Sequence, residues 1–232
     1  MTGVQRINRI LSQYPENQLI FASKLYCEQL SSEVTEGSYY KTLERLCKAG
    51  SLCKIAKGTY YRPKPDSDLP PSQQEIVSAF TEPDMGTIVG PALYRQLQLS
   101  QQPADTVEVL SCALEQQTRS IGNVALQFYK LTYTPQVRQT VQMMDVLQNF
   151  HKIPDLDHRQ FLALCEAFAS TYDDAVFDEV CQQMKYQKRT ISFLQTILNH
   201  YQIPNKLHKY LSTLSEYKHP TMEQLQAAAG QQ

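Results

Sequence analysis

Residues 35–62 read TEGSYYKTLERLCKAGSLCKIAKGTYYR, and their reading decides what the N-terminal part of the chain is. Tyr39, Leu43, Leu46 and Cys47 recur at i, i+4, i+7 and i+8, which puts them on one face of a helix. Thr35 stands where it can cap the start, and Gly50 where it can close the end in a left-handed conformation. The opposite face then carries Ser38, Tyr40, Lys41, Glu44, Arg45 and Lys48. Beyond Gly50, residues 52–55 and 59–62 flank Ala56-Lys57-Gly58, where Gly58 supplies the positive φ of a short hairpin. A basic helix followed by a basic hairpin is how a winged helix-turn-helix presents itself to DNA.

Upstream, residues 3–14 carry a helical stripe of Val4, Ile7, Ile10 and Leu11 with Arg6 and Arg9 beside it, and Pro15 ends that helix. Leu19-Ile20-Phe21 suits a small strand. Ser23 is placed to cap a helix through Leu30, with Leu25, Tyr26 and Leu30 toward the core. Three helices and a hairpin make residues 1–64 a winged helix domain in expectation. Within it, Ser38, Tyr40 and Lys41 lie toward the N-terminal end of the third helix, where base edges are met. Arg45, Lys48, Lys54, Lys57 and Arg62 are placed for phosphates, which set affinity and salt dependence. Glu44 points the same way; an acid there either repels phosphate or accepts from a cytosine amino group. Tyr60 and Tyr61 alternate across the hairpin, so one is expected in the core and the other outside.

Charge supports this partition. Residues 1–64 hold ten Lys/Arg against five Asp/Glu, and residues 65–232 hold twelve against eighteen. Such a split suggests a nucleic-acid-binding module joined to a part with other work. A hydrophobic content of 42% with 19% charged residues excludes a largely disordered chain. No apolar run approaches the roughly 20 residues of a membrane helix, and the N-terminus lacks a secretory core, so a soluble cytoplasmic protein is expected. The six cysteines form no C-x-x-C and read as buried reduced thiols. His151 and His158 are separated by Pro154, and His200 and His208 by Pro204, so neither pair shares a helical face; no metal and no cofactor are expected.

Residues 63–71, PKPDSDLPP, hold four prolines and mark a stiff linker over 65–71. A mixed α+β domain is expected over 72–155. It opens with a helix over 72–81 that turns Ile76, Val77 and Phe80 inward. A short apolar piece over 86–90 follows, then a helix from Pro91 through Leu97. A strand over 106–112, a hairpin turning at Gly122-Asn123 and a helix over 140–150 complete it. Residues 156–232 read as a helical extension. Its stripes are Phe161, Leu164, Cys165, Phe168; then Val176, Val180, Met184; then Ile191, Leu194, Ile197, Leu198, Tyr201. A fourth, Leu207, Tyr210, Leu211, Leu214, precedes a frayed, polar last dozen. The overall class is α+β, mostly helical.

Several blocks in fixed order resemble the AbiEi-type antitoxin family of bacterial type IV toxin–antitoxin systems. They are YYKTLERLCKAGSLCKIAKGTYYRPK at 39–64, PPSQQEIVSAF at 70–80, GTIVGPALYRQLQL at 86–99 and RSIGNVALQF at 119–128. The resemblance spans roughly residues 5–155. It implies a winged helix that binds operator repeats in its own promoter and represses the toxin operon. It also implies a second domain that counteracts a nucleotidyltransferase-like toxin encoded next door.

Signatures of catalysis are missing. The sequence contains no G-x-S-x-G, P-loop or H-E-x-x-H, and Gly86 and Gly90 are not followed by the lysine of a phosphate loop. The acids Asp155, Asp157, Asp173 and Asp174 stand at helix starts, where they complement the helix dipole. A non-enzymatic, DNA-binding antitoxin is therefore the leading expectation. The alternative is a winged-helix interaction or regulatory protein without a cognate toxin.

Overall fold

The computed structural model describes residues 2–65, 69–114 and 116–231. Among these the chain is α+β and mostly helical, with two small sheets. It divides into two compact units, residues 1–79 and 80–232. Residues 66–68 of the expected proline-rich linker lie outside the described residues.

The first unit begins with α1 (Gly3–Ser12), started by a capping box between Thr2 and Gln5. Its apolar stripe is Ile7, Ile10 and Leu11; Val4, expected with them, is 40% exposed. β1 (Ile20–Phe21) runs straight into α2 (Ala22–Leu25). Ser23 therefore falls inside the first turn rather than at its cap, and its hydroxyl meets Tyr40 Oη at 3.4 Å. The helix then widens into a π turn, Tyr26–Leu30, where the Ser31 N–H reaches back to the Tyr26 carbonyl. α3 (Glu36–Lys48) and the strands β2 (Cys53–Ala56) and β3 (Thr59–Tyr61) complete the set. The sheet is antiparallel in the order β1-β3-β2, with Ile20 opposite Tyr60 and Cys53 opposite Tyr61. Gly58 takes φ 70° at the hairpin turn, as the sequence requires.

α4 (Gln73–Thr81) carries the boundary between the units. Its start belongs with the first unit: Ser72 and Glu75 exchange backbone–side-chain hydrogen bonds, and Lys64 lies 3.9 Å from Glu75.

The second unit holds a four-stranded sheet in the order β4-β5-β7-β6, formed by β4 (Gly86–Val89), β5 (Val107–Ser111), β6 (Thr118–Ile121) and β7 (Val124–Phe128). β5 and β7 pair parallel; the other pairs are antiparallel. Gly86 is obligatory here, because a Cβ would stand 2.4 Å from two backbone oxygens, those of Leu110 and Phe80. α5 (Gly90–Gln96) follows β4 with Pro91 in its first turn. α6 (Pro135–Asn149) begins five residues earlier than its apolar periodicity suggests, because Thr134 caps it and Pro135 fits its first turn. Val89 and Leu110 of the sheet bury against Val137 and Val141 of α6.

α7 (His158–Ala169), α8 (Asp174–Gln183) and α9 (Lys188–His200) are helices as the stripes require, and Asp157 and Asp173 cap α7 and α8 through their carboxylates. They share a core with Leu93 and Tyr94 of α5 and Met143 and Leu147 of α6. Phe150, Phe161 and Phe193 form its centre, with ring centroids 5.0 to 6.1 Å apart.

Two expectations for the C-terminal region are corrected. The fourth stripe is only a 3₁₀ turn, Leu207–Tyr210, and Leu214 is 96% exposed. The last residues are not frayed: α10 (Met222–Gly230) has a Thr221–Gln224 capping box and buries Met222, Leu225 and Ala229. Arg159 of α7 donates to the Ala229 carbonyl at 3.0 Å, which ties that helix down.

Candidate nucleic-acid interface

α3 is held from behind by tyrosines. Tyr39 is fully buried, stacks on Tyr26 at 5.4 Å, and donates from its hydroxyl to the Ala22 carbonyl at 3.1 Å. Tyr26 in turn donates to the Val34 carbonyl, just ahead of α3. These bonds link the π turn, the loop before α3 and α3 itself, while Leu43 fills the core beneath. Burial pushes the Tyr39 phenol far above its ordinary range, followed by the effect of neighbouring tyrosines, so it remains a donor. Thr42, on no predicted stripe, is also buried, and its hydroxyl is satisfied by the Ser38 carbonyl at 2.8 Å.

The outward face of α3 carries Ser38, Lys41, Glu44, Arg45 and Lys48, all exposed. Thr35 stands at the N-cap, yet its hydroxyl makes no capping bond. Lys48 pairs with Glu44 one turn earlier at 2.8 Å, and that hydrogen bond and charge hold the Glu44 carboxyl below its usual range. Lys41 and Arg45 form no ion pair among the described residues.

At the end of α3, Gly50 takes φ 72° and the Ser51 N–H returns to the Leu46 carbonyl, so the chain turns directly into the hairpin. Lys54 is exposed on β2 opposite Tyr60, and Tyr60 packs on the same core as Leu46 and Cys47 near the end of α3. Lys57 is exposed at the hairpin tip.

Two of the sequence-selected residues are placed differently. Tyr40 is half-buried against the core of the first unit. Arg62 is turned inward, its guanidinium donating to the carbonyls of Ser12 at 3.1 Å and Tyr14 at 2.5 Å, so it closes the C-terminal end of α1. The structure thus groups Ser38, Lys41, Arg45 and Lys48 on one helix face, with Lys54 and Lys57 on the adjoining hairpin. Of the two hairpin tyrosines, Tyr61 is the buried one, and Tyr60 is half-buried rather than outside.

Other polar features are less selective. A cavity of about 520 Å³ between α1 and the π turn is lined by Arg6, Arg9, Gln13, Glu28, Gln29 and Ser32, among others. Its charges have both signs, and Arg6 is paired with Glu33 at 2.9 Å. In the second unit, Asp145 accepts from the Gly90 N–H and Tyr94 hydroxyl at 2.9 Å and from Asn149. Burial raises its carboxyl while those bonds draw it back, and Glu108 nearby is raised by its own burial and then by Asp145. Neither acid has a cation against it among the described residues, but Glu108 is exposed to water. No group of three His, Cys, Asp or Glu side chains among the described residues is arranged to hold a metal. Six cysteines are free thiols; Cys165 is buried, while Cys27 is exposed, contrary to the expectation of burial. Among the described residues no helix is long and apolar enough to cross a membrane.

No protein-family model matches this chain, and no curated protein matches it as a relative.

Proposed function

We propose that the first unit is a winged helix that binds duplex DNA through α3 and the β2–β3 hairpin. The observation that carries this reading is the cationic face of α3 continued, through the Gly50 turn, by a hairpin with two exposed lysines. The order helix, strand, helix, helix, strand, strand and the sheet order β1-β3-β2 support it. Lys41 and Arg45 are the principal contacts, with Lys54 and Lys57 on the flanking backbone. Ser38 sits where the helix first meets base edges.

The resemblance of the ordered sequence blocks extends this to a self-repressing antitoxin of a type IV toxin–antitoxin system. The second unit then counteracts a nucleotidyltransferase-like toxin. A mobility-shift titration of the full chain on its own upstream region, at low and moderate salt, tests the DNA part. A retarded complex is expected, with log Kd rising as log salt rises. Lys41→Ala with Arg45→Ala should lower that slope by about 2, at roughly 0.9 per phosphate contact. No complex at low salt, or an unaltered slope in the double variant, would overturn it. Co-expression with the neighbouring reading frames tests the antitoxin part: rescue from growth arrest supports it, and no effect on a toxic neighbour rejects it.

A second reading has its own observation. Lys48 is already paired and Arg62 is spent inside the unit, so the face is less cationic than its sequence suggests. That favours a protein-docking module. A stoichiometric complex with a neighbouring gene product, free of nucleic acid and abolished by Lys41→Glu, would establish this reading in place of DNA binding.

A further inference from the structure

We propose that Glu44 reads a cytosine, its carboxylate accepting from the N4 amino group of that base in the major groove. This rests on the DNA-binding reading above and specifies the chemistry of the same face.

Glu44 lies centrally on the exposed face of α3. Lys41 is three residues before it and Lys48 four after, so the three share one row, and Arg45 is adjacent. An acid so placed is unfavourable for a surface that meets only phosphates, since every phosphodiester repels it. The structure supplies a local compensation. Lys48 Nζ sits 2.8 Å from Glu44 Oε1, one helical turn away and in the favourable order, with the acid nearer the N-terminus. This contact offsets part of the repulsion and favours the ionised carboxylate. It engages Oε1, and no bond to Oε2 occurs among the described residues. A carboxylate is purely an acceptor, so what it selects from a base pair is a donor.

The major-groove edges then discriminate. Guanine shows two acceptors, N7 and O6, and thymine shows O4 and a methyl group; both are rejected by a carboxylate. Adenine offers its N6 amino group, but the N7 lone pair beside it faces the same carboxylate. Cytosine offers the N4 donor with an acceptor, the paired guanine O6, on one side only and the C5–H on the other. The preferred partner is therefore a C·G pair oriented with cytosine under Glu44.

The test is selection of bound sequences by the full-length chain from a library of randomised duplexes, with Glu44→Gln and Glu44→Ala beside the wild type. The wild type should enrich one cytosine position, preferred over thymine there by about five- to a hundredfold in Kd. Glutamine presents both a donor and an acceptor and pairs with adenine N6 and N7, so Glu44→Gln should move that one position from cytosine to adenine. Glu44→Ala should lose the preference at that position alone and bind duplexes that lack the cytosine more tightly at low salt. An ordinary surface ion pair would change helix stability and leave the selected sequence as it was. The same enriched sequence in all three proteins, or duplex binding by the wild type with no enrichment, overturns this proposal and leaves the DNA-binding reading standing. A wild type that retains no duplex from the library overturns both.

Discussion

The two units hold their cores with different chemistry, and the difference bears on which of them meets a ligand. In the first, an aliphatic core of isoleucines and leucines surrounds Tyr39 and Tyr26, whose hydroxyls bond to backbone carbonyls across the unit. In the second, five phenylalanines, Phe150, Phe161, Phe168, Phe177 and Phe193, are set among leucines and isoleucines. A phenylalanine contributes area and ring packing but no directional bond. A buried tyrosine contributes area and, through its hydroxyl, fixes one element against another. The tyrosine bonds of the first unit therefore add to its apolar burial a restraint on where α3 lies. The second unit buries more and also takes in a carboxylate, Asp145, which α5 satisfies with a backbone N–H and a tyrosine. A rigidly placed helix with cations outward suits recognition of a fixed lattice of phosphates. A large aromatic core suits a scaffold.

The contrast is broken most directly by removing an aromatic ring. Phe161 is fully buried and meets both Phe150 and Phe193. Phe161→Ala should destabilise the second unit by about 3–5 kcal/mol, the range for emptying a buried aromatic site. Calorimetry should record this as a large fall in the transition of that unit, while duplex binding at low temperature persists. A loss under about 1 kcal/mol would mean that the aromatic cluster is not where the stability of the unit resides.

Arg62 sharpens the comparison from the other side. In sequence it continues a run of basic residues, and in the structure it closes α1. Arg62→Ala removes two charge-assisted bonds to carbonyls and should cost about 1–3 kcal/mol of the stability of the first unit. The salt slope of duplex binding should stay as it is, in contrast to Lys41→Ala with Arg45→Ala. A lowered slope with an unchanged unfolding midpoint would return Arg62 to the interface.

This case also marks what a sequence holds and what it does not. The face of α3 was legible because period and charge agree over thirteen residues, with Gly50 ending the helix. The hairpins were legible from Gly58 and from Gly122-Asn123, whose backbone demands are local. Inward-facing Arg62 was not, since its partners, Ser12 and Tyr14, lie some fifty residues away in sequence and are backbone atoms without a sequence signature. α10 was misread because six of its nine residues are Ala, Gln or Gly; its capping box and three buried side chains outweigh that composition. The opposite error occurred at Leu214, where apolar spacing alone implied a helix although no partner surface covers it.

Asp145 allows a test of charge burial in the second unit. Its folded-state carboxyl is raised, mainly by burial, so the stability it confers is fully present below its unfolded value near 3.8 and is lost as pH rises through the folded value. Asp145→Asn has no such titration and keeps one acceptor oxygen. The stability of the wild type relative to Asp145→Asn should therefore decline as pH is raised from below 4 toward neutrality, measured by urea unfolding of both proteins across that range. A difference that grows with pH would mean that the bonds from Gly90, Tyr94 and Asn149 outweigh burial.

The smallest expected effect concerns Gly37 in the first turn of α3. Nothing lies within 4 Å of where its Cβ would be, and its backbone is ordinary helix, so the fold itself does not call for glycine. Alanine there should raise stability by about 0.5–1 kcal/mol, since it lowers the entropy of the unfolded chain and favours helix. If α3 enters a major groove, the bare backbone at Gly37 lets the groove wall approach the helix start, and a methyl group would hold it off. Gly37→Ala should then melt at a higher temperature and yet bind duplex DNA several-fold more weakly, with its salt slope unchanged because no charge is lost. A variant that is both more stable and equally tight would show that the start of α3 stays clear of the duplex, and contacts would have to be sought further along the helix, around Lys41 and Glu44.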